Sequence, residues 1–149
     1  MKQLEKNEVI QLLESTADGV LAFSNGQKPY CLPFGFVFLH DSIFISMFPR
    51  GRKWDAIEEN PNVCFNVYGW NKQRTAWSSV VVDGRLIPVE ELSEIESVVR
   101  ANIEKKDLDP VLDFEKRMKY YAQTADNPNG VKLFKIEIEN MEGRRSKTH

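Results

Sequence analysis

The run from Ala76 to Val89 alternates loosely between apolar and polar residues and carries Asp83-Gly84 in its middle. Strand-forming sequence continues on both sides of that pair. The segment therefore reads as one long strand with a bulge or bend at Asp83-Gly84, although the spacing also permits a hairpin. Curved long strands are how a small sheet closes into a barrel, so the rest of the chain can be asked whether it supplies the other staves.

It does. Gly19 to Ser24 and Tyr30 to Leu39 flank Asn25-Gly26, a strong hairpin signal. His40-Asp41-Ser42 turns the chain into Ile43 to Phe48, and these three strands are expected to form an antiparallel meander. Val63 to Trp70 is a fourth strand. Val131 to Ile138 sets Val131, Leu133, Phe134, Ile136 and Ile138 against Lys132, Lys135 and Glu137 as a half-buried last one. The fold class expected is mainly β with flanking helices, a six-stranded antiparallel barrel.

Helical spacing accounts for most of the remainder. Leu4, Val9, Ile10, Leu12 and Leu13 stand among charged residues in an opening amphipathic helix, expected across one end of the sheet. Arg52 to Glu59 puts Trp54 and Ile57 on one side and stops at Asn60-Pro61, because the residue before proline is pushed out of the helical region. Glu90 to Lys105 spaces Leu92, Ile95, Val98, Val99 and Ile103 for one buried face, and a second helical stretch begins at Asp109-Pro110 and reaches about Tyr121. Asp126 to Gly130 is rich in turn residues. The chain reads as a single domain over 1–149, with a polar tail, about 140–149, expected to be flexible.

Composition narrows the function. With 42% hydrophobic and 28% charged residues the chain belongs with soluble globular proteins, and a net charge of -2 argues against a nucleic-acid binder, which carries a basic face. No run approaches the roughly 20 apolar residues of a membrane span, and Met1 to Glu14 lacks the apolar centre of a signal peptide, so a cytoplasmic location is the default expectation. Cys31 and Cys64 lie in apolar strands without metal-binding spacing and are expected to be buried, reduced thiols. His40 falls in a turn and His149 ends the chain; both are expected to face solvent. Zinc spacings, the G-x-S-x-G elbow and the G-x-x-x-x-G-K phosphate loop are absent from the sequence, so any catalysis here would be carried by a bound cofactor.

One segment suggests which. After the third strand, Phe48-Pro49-Arg50 delivers Gly51-Arg52-Lys53 to a helix start. The first N–H groups of a helix have no partner inside it, its dipole places positive charge there, and the basic side chains add full charges, so a phosphate would be held by backbone and side chains together. A solvated basic turn is the bland alternative. A barrel with such a turn suits a ligand with a phosphate at one end and a flat apolar body, the shape of flavin mononucleotide.

The ordered segments Gly19-Val20-Leu21-Ala22, Tyr30-Cys31-Leu32-Pro33-Phe34-Gly35-Phe36, Gly51-Arg52-Lys53, Asn60-Pro61-Asn62-Val63-Cys64-Phe65 and Ser78-Ser79-Val80-Val81-Val82-Asp83-Gly84 carry a family resemblance. Together with Ile136-Glu137-Ile138-Glu139 ahead of Gly143-Arg144, they resemble the pyridoxamine 5′-phosphate oxidase-related split-barrel flavoproteins, closest to the nitroimidazole-resistance (5-nitroimidazole reductase) branch. The resemblance implies a six-stranded split barrel, a homodimer with FMN at the subunit interface, and phosphate binding by Gly51, Arg52 and Lys53. It implies backbone contacts to the ribityl chain and flavin edge from Ile45, Ser46 and Met47, and a flavin-lining segment at Pro33, Phe34, Gly35 and Phe36. Ser79 falls where the vitamin-B6 enzymes carry a flavin-contacting glutamine, and a serine is shorter.

Phe34, Phe36 and Phe38 also alternate as a barrel core would, and at least two of them are expected to pack there. Trp70 and Trp77 bracket the loop of a hairpin and suit either a flavin cover across a dimer or an interface. Arg144 and Arg145 lack the context of the B6 enzymes' C-terminal arginine and histidine segment, so pyridoxamine phosphate oxidation is not expected. The resemblance instead implies an FMN-dependent oxidoreductase acting on a small-molecule substrate, an electrophile such as a nitroaromatic. A non-catalytic flavin or haem carrier or sensor on the same barrel, and a deazaflavin-dependent reductase, remain open.

Overall fold

The computed structural model describes residues 1–146, so the expectations for 147–149, including the exposure of His149, lie outside the described residues. Strands β1 (Lys2–Gln3), β2 (Asp18–Asn25), β3 (Lys28–Gly35), β4 (Val37–Leu39), β5 (Ser42–Met47), β6 (Asn62–Trp70), β7 (Trp77–Pro88) and β8 (Lys132–Arg145) form one antiparallel sheet. Helix α1 (Lys6–Ser15) precedes β2, α2 (Gly51–Glu59) joins β5 to β6, and α3 (Leu92–Lys106) and α4 (Leu112–Thr124) lie between β7 and β8.

The strand order is β3-β2-β6-β7-β8-β5-β4, with β1 added beside β8. β3 and β4 are therefore opposite edges of the path, yet in the chain only Phe36 separates them. A one-residue link between opposite edges forces the sheet to curl until they meet. The result is a split barrel whose seam is the break at Phe36. Two sequence expectations are corrected here. Tyr30 to Leu39 is not one strand but two, and the first three strands are not a meander, because β3 pairs with β2 while β4 pairs with β5 on the far side of the path.

Strand alternation fills the interior. Leu21, Ile43, Phe65, Val67, Val80, Val82 and Ile136 are fully buried and point inward. Fully burying each such side chain stabilises the fold by about 1.5–3 kcal/mol. Leu13 of α1 and Ala56 and Ile57 of α2 enter the same core, and Phe34, Phe36 and Phe38 all pack in it or against it. The Asn25-Gly26 hairpin forms, with Gly26 at φ +65, and the β4–β5 turn places His40 and Asp41 at φ 50 and 59, the left-handed pair of a tight hairpin.

Several boundaries differ from expectation for identifiable reasons. β8 does not stop at Ile138 but runs to Arg145, because Asn140 to Arg145 pair with β7 and the last two with β1; residues 140–145 of the expected flexible tail are strand. Helix α4 begins at Leu112, not at Asp109-Pro110. Asp109 stays ahead of it and its Oδ1 accepts from the N–H groups of Val111 and Leu112, which hold its carboxyl below the usual range. Leu92 is 66% exposed rather than on the buried face of α3, since the helix only starts there. Cys31 is exposed because β3 is an edge strand with that residue pointing outward, while Cys64 is half-buried and its thiol is pushed up by burial and by Asp83.

The Asp83-Gly84 irregularity is a bulge in one continuous strand. Asp83 faces Asn140 and Gly84 faces Ile138, so the extra residue is Glu139 on β8, while the pairing of β7 with β6 continues unbroken. Gly84 is needed there: a Cβ would collide with Glu137 O and lie 2.8 Å from Ile136 Cγ2. Gly84→Ala is expected to destabilise the protein by about 1–3 kcal/mol through this overpacking, read as a lower urea midpoint at unchanged slope.

Candidate functional site

The seam creates two open backbone edges. β4 and β5 pair only from Val37–Phe44 to Leu39–Ser42, whereas β5 continues through Ile45, Ser46 and Met47, bonded on one side to Phe134, Leu133 and Lys132 of β8. β3 pairs with β2 alone. From Phe36, then, the free edge of β3 and the free edge of β5 diverge. Unpaired backbone N–H and C=O groups call for partners, and a ligand lying between the edges would supply them.

The third side is the turn after β5. Phe48 to Arg50 lead into α2, whose first residue, Gly51, has φ +81 with open space where a Cβ would stand. The Arg52 guanidinium lies over the Tyr30 ring of β3, 4.0 Å from its centroid. That contact ties the start of α2 to β3. The start of α2 has no side-chain cap and no acidic residue in its first turn. Lys53 Nζ donates to Arg50 O at 3.2 Å, so it is held over the same turn. Uncapped N–H groups, a helix dipole and two or three cations make this end of the cleft attractive to an anion.

The residues singled out by sequence fall into three groups. Gly51, Arg52 and Lys53 form the turn just described. Ile45 and Met47 are buried in the core, so only their backbone faces the opening; Ser46 between them points outward, its Oγ 2.5 Å from the Tyr121 hydroxyl of α4. Pro33 and Gly35 are exposed on β3, Phe34 is half-buried, and Phe36 is buried edge-on against Phe65 at 5.2 Å between centroids. Ser79 is not brought to the cleft of its own chain. It sits on the outward face of β7 opposite Tyr68, where its Oγ accepts from Asn66 Nδ2 at 2.8 Å.

Three contributors escaped the sequence reading. Tyr30 meets Arg52, Tyr121 meets Ser46, and Lys105 of α3 pins the seam. Lys105 Nζ donates to Phe36 O at 2.8 Å and lies 3.9 Å from the centre of that residue's ring. Nothing in the pattern marks Lys105, which looks like a solvated charge in the last turn of a helix. Trp70 and Trp77 face each other where the β6–β7 hairpin closes, and Arg74 covers Trp70 at 5.0 Å. Among the described residues no cluster of metal-ligating side chains occurs, and no helix is long and apolar enough to cross a membrane.

A family model described as pyridoxamine 5′-phosphate oxidase matches residues 5–145. No curated protein matches the sequence. Solved structures do. A protein described as a candidate 5-nitroimidazole antibiotic resistance protein from Bacteroides thetaiotaomicron superposes with a TM-score of 0.71 at 18% identity, over 97% of this chain and 87% of that one. An FAD-binding protein from Mesorhizobium loti gives 0.68 at 25% identity, covering 98% of each chain. A haem-binding protein from Mycobacterium smegmatis gives 0.70 at 14% identity, over 99% of this chain and 59% of that one.

Lys105 also sets a pH dependence. Burial lowers the pKa of its amine, partly opposed by Asp18 and assisted by Lys106. A lysine whose folded pKa lies below its unfolded value binds its proton more tightly when unfolded, so its contribution to stability rises with pH until the ordinary value of 10.5 is passed. Relative to a Lys105→Met variant, the wild-type protein should gain stability as pH rises through the window just below 10.5, measured by urea unfolding at successive pH values.

Proposed function

Because the chain belongs to the pyridoxamine 5′-phosphate oxidase family, we propose that the seam cleft binds FMN and that the protein is an FMN-dependent oxidoreductase. The observation that carries this reading is the meeting of two unpaired strand edges with an uncapped, cationic helix start. Arg52, Lys53 and the N–H groups following Gly51 would hold the phosphate. The free backbone of Ile45 to Met47 would face the ribityl chain, and that of Pro33 to Phe36 the polar edge of the ring. When bound, the flavin supplies the redox chemistry; the protein's residues bind and orient it.

A homodimer completes the reading. The outward sheet face exposes Tyr68 at 56%, Trp70 at 44% and Val81 at 40%, beside the exposed Cys31 and Pro33, and none of these joins a hydrophobic core among the described residues. A second copy laid on this face would cover them and bring Ser79, absent from its own cleft, toward the flavin of its neighbour. The substrate class in keeping with the nitroimidazole-resistance branch is a small electrophile such as a nitroaromatic. Haem would need an axial ligand. The histidine among the described residues, His40, is exposed in the β4–β5 turn and so offers no imidazole ligand in the cleft.

Incubation with FMN should quench its fluorescence and leave a yellow protein, with a dimer seen by analytical ultracentrifugation. Arg52→Glu should weaken FMN binding by about tenfold or more, while the ligand-free protein loses only the contact with Tyr30, about 0.5–1 kcal/mol of stability. An unchanged FMN affinity in that variant would show that the phosphate lies elsewhere. Bound FMN without turnover of NAD(P)H and a nitroaromatic would leave a carrier or sensor, and preference for a deazaflavin in competition would replace FMN as the cofactor.

A further inference from the structure

Behind the seam, between β4–β5 and the helix pair α3–α4, lies a cavity of about 190 Å³. We infer that it binds a small organic carboxylate. Calling that carboxylate the flavin's reaction partner rests on the flavin reading above; its recognition does not. The inner wall is apolar, formed by Val37, Phe44, Val98, Val99 and Leu133. Gly35, Phe36 and Ser46 also line the cavity, so it lies beside the segments that diverge at the seam.

The remaining wall consists of donors: Asn102 and Lys106 from α3, Arg117 and Tyr121 from α4. No carboxylate lines the cavity, and neither Lys106 nor Arg117 makes an ion pair among the described residues. Lys105, beside Lys106, does not line the cavity; its ammonium is held by Phe36 O. The acids facing these groups are otherwise engaged. Asp18 faces Lys105, and Asp113, one turn before Arg117, accepts from the Asp109 N–H at 2.9 Å. The Tyr121 hydroxyl stays protonated at neutral pH, since burial raises its pKa against the smaller opposing effects of Ser46 and Arg117.

Two unpaired cations over an apolar floor select an amphiphilic anion. Arg117 presents a planar fork that matches a carboxylate in two parallel bonds, with Tyr121 and Asn102 as neutral donors beside it. Size limits the rest of the molecule. Cavities of about 150 Å³ accept benzene, while sites for drug-sized ligands start near 300 Å³, so the occupant carries about one substituted ring.

The test uses the ligand-free protein, titrated by calorimetry with 4-nitrobenzoate and with the neutral 4-nitrobenzyl alcohol. The acid should bind at least about tenfold more tightly. Arg117→Gln should remove that preference without changing the affinity for the alcohol, and Arg117→Lys should restore part of it. Lys106→Gln, at an exposed position, provides a second reading if Arg117→Gln fails to fold. Equal affinity for acid and alcohol, a preference that survives both glutamine variants, or displacement of the acid by equimolar inorganic phosphate would overturn the inference. A parallel FMN titration separates the two readings. Acid preference without FMN binding sinks the flavin assignment alone, and FMN binding without acid preference sinks the carboxylate site alone.

Discussion

The structure depends on a connection one residue long. Phe36 joins strands that occupy opposite edges of the sheet, and a chain that crosses from edge to edge in one step leaves the sheet no option but to close. Closure is incomplete because β3 pairs with β2 and β4 with β5, so the same residue that shuts the barrel opens its seam. Phe36 is suited to this position. Its ring fills the core against Phe65, its N–H reaches Ala17 O, and its carbonyl takes the Lys105 ammonium. A buried backbone carbonyl at a strand break would otherwise lack a partner, which costs about as much as a lost hydrogen bond.

Electrostatics follows from the same topology. The chain leaves the free end of β5 and must return to β6 on the other side of the barrel; α2 makes that return, packing Ala56 and Ile57 inward. Its start is therefore at the mouth of the seam. α1 begins with the Glu5–Glu8 capping box and α3 has Glu94 in its first turn, so both satisfy or neutralise their N-terminal groups internally. α2 does neither and adds Arg52 and Lys53 instead. The helix that borders the cleft is the one whose positive end is left available.

Local patterns were legible in the sequence where one residue's geometry decides the outcome. Asn25-Gly26, the bend at Asp83-Gly84 and the stop at Asn60-Pro61 could all be placed because glycine readily takes the left-handed turn at Gly26 and alone allows the close approach at Gly84, and because the residue before proline is kept out of the helical region. What could not be read was pairing. Tyr30 to Leu39 has unbroken strand character, and nothing in it says that its halves belong to different neighbours; that is settled by barrel closure, a property of the whole chain. The extension of β8 to Arg145 escaped for the same reason, since the run from Asn140 packs only Met141 against the core and is otherwise held by ladder bonds to β7 and β1. At the site, the basic turn after β5 was visible because its charges are contiguous. Lys105, Arg117 and Tyr121 were not, because each is an ordinary helix residue until α3 and α4 are folded against the seam.

Strand periodicity then explains how one short segment can serve two places at once. Along β5, Ile45 and Met47 point into the core while Ser46 points out to Tyr121. The backbone of all three, bonded to β8 on one side, is open on the other. A period of two thus divides the strand's labour: alternate side chains anchor it, the intervening one forms the wall of the cavity under α4, and the free edge faces the cleft. A helix could not divide its functions this way, because its backbone groups bond within the helix. The barrel supplies the open edge, but the chemistry that edge meets is set by the residues placed around it, here a cationic turn at one end and a cationic cavity at the other.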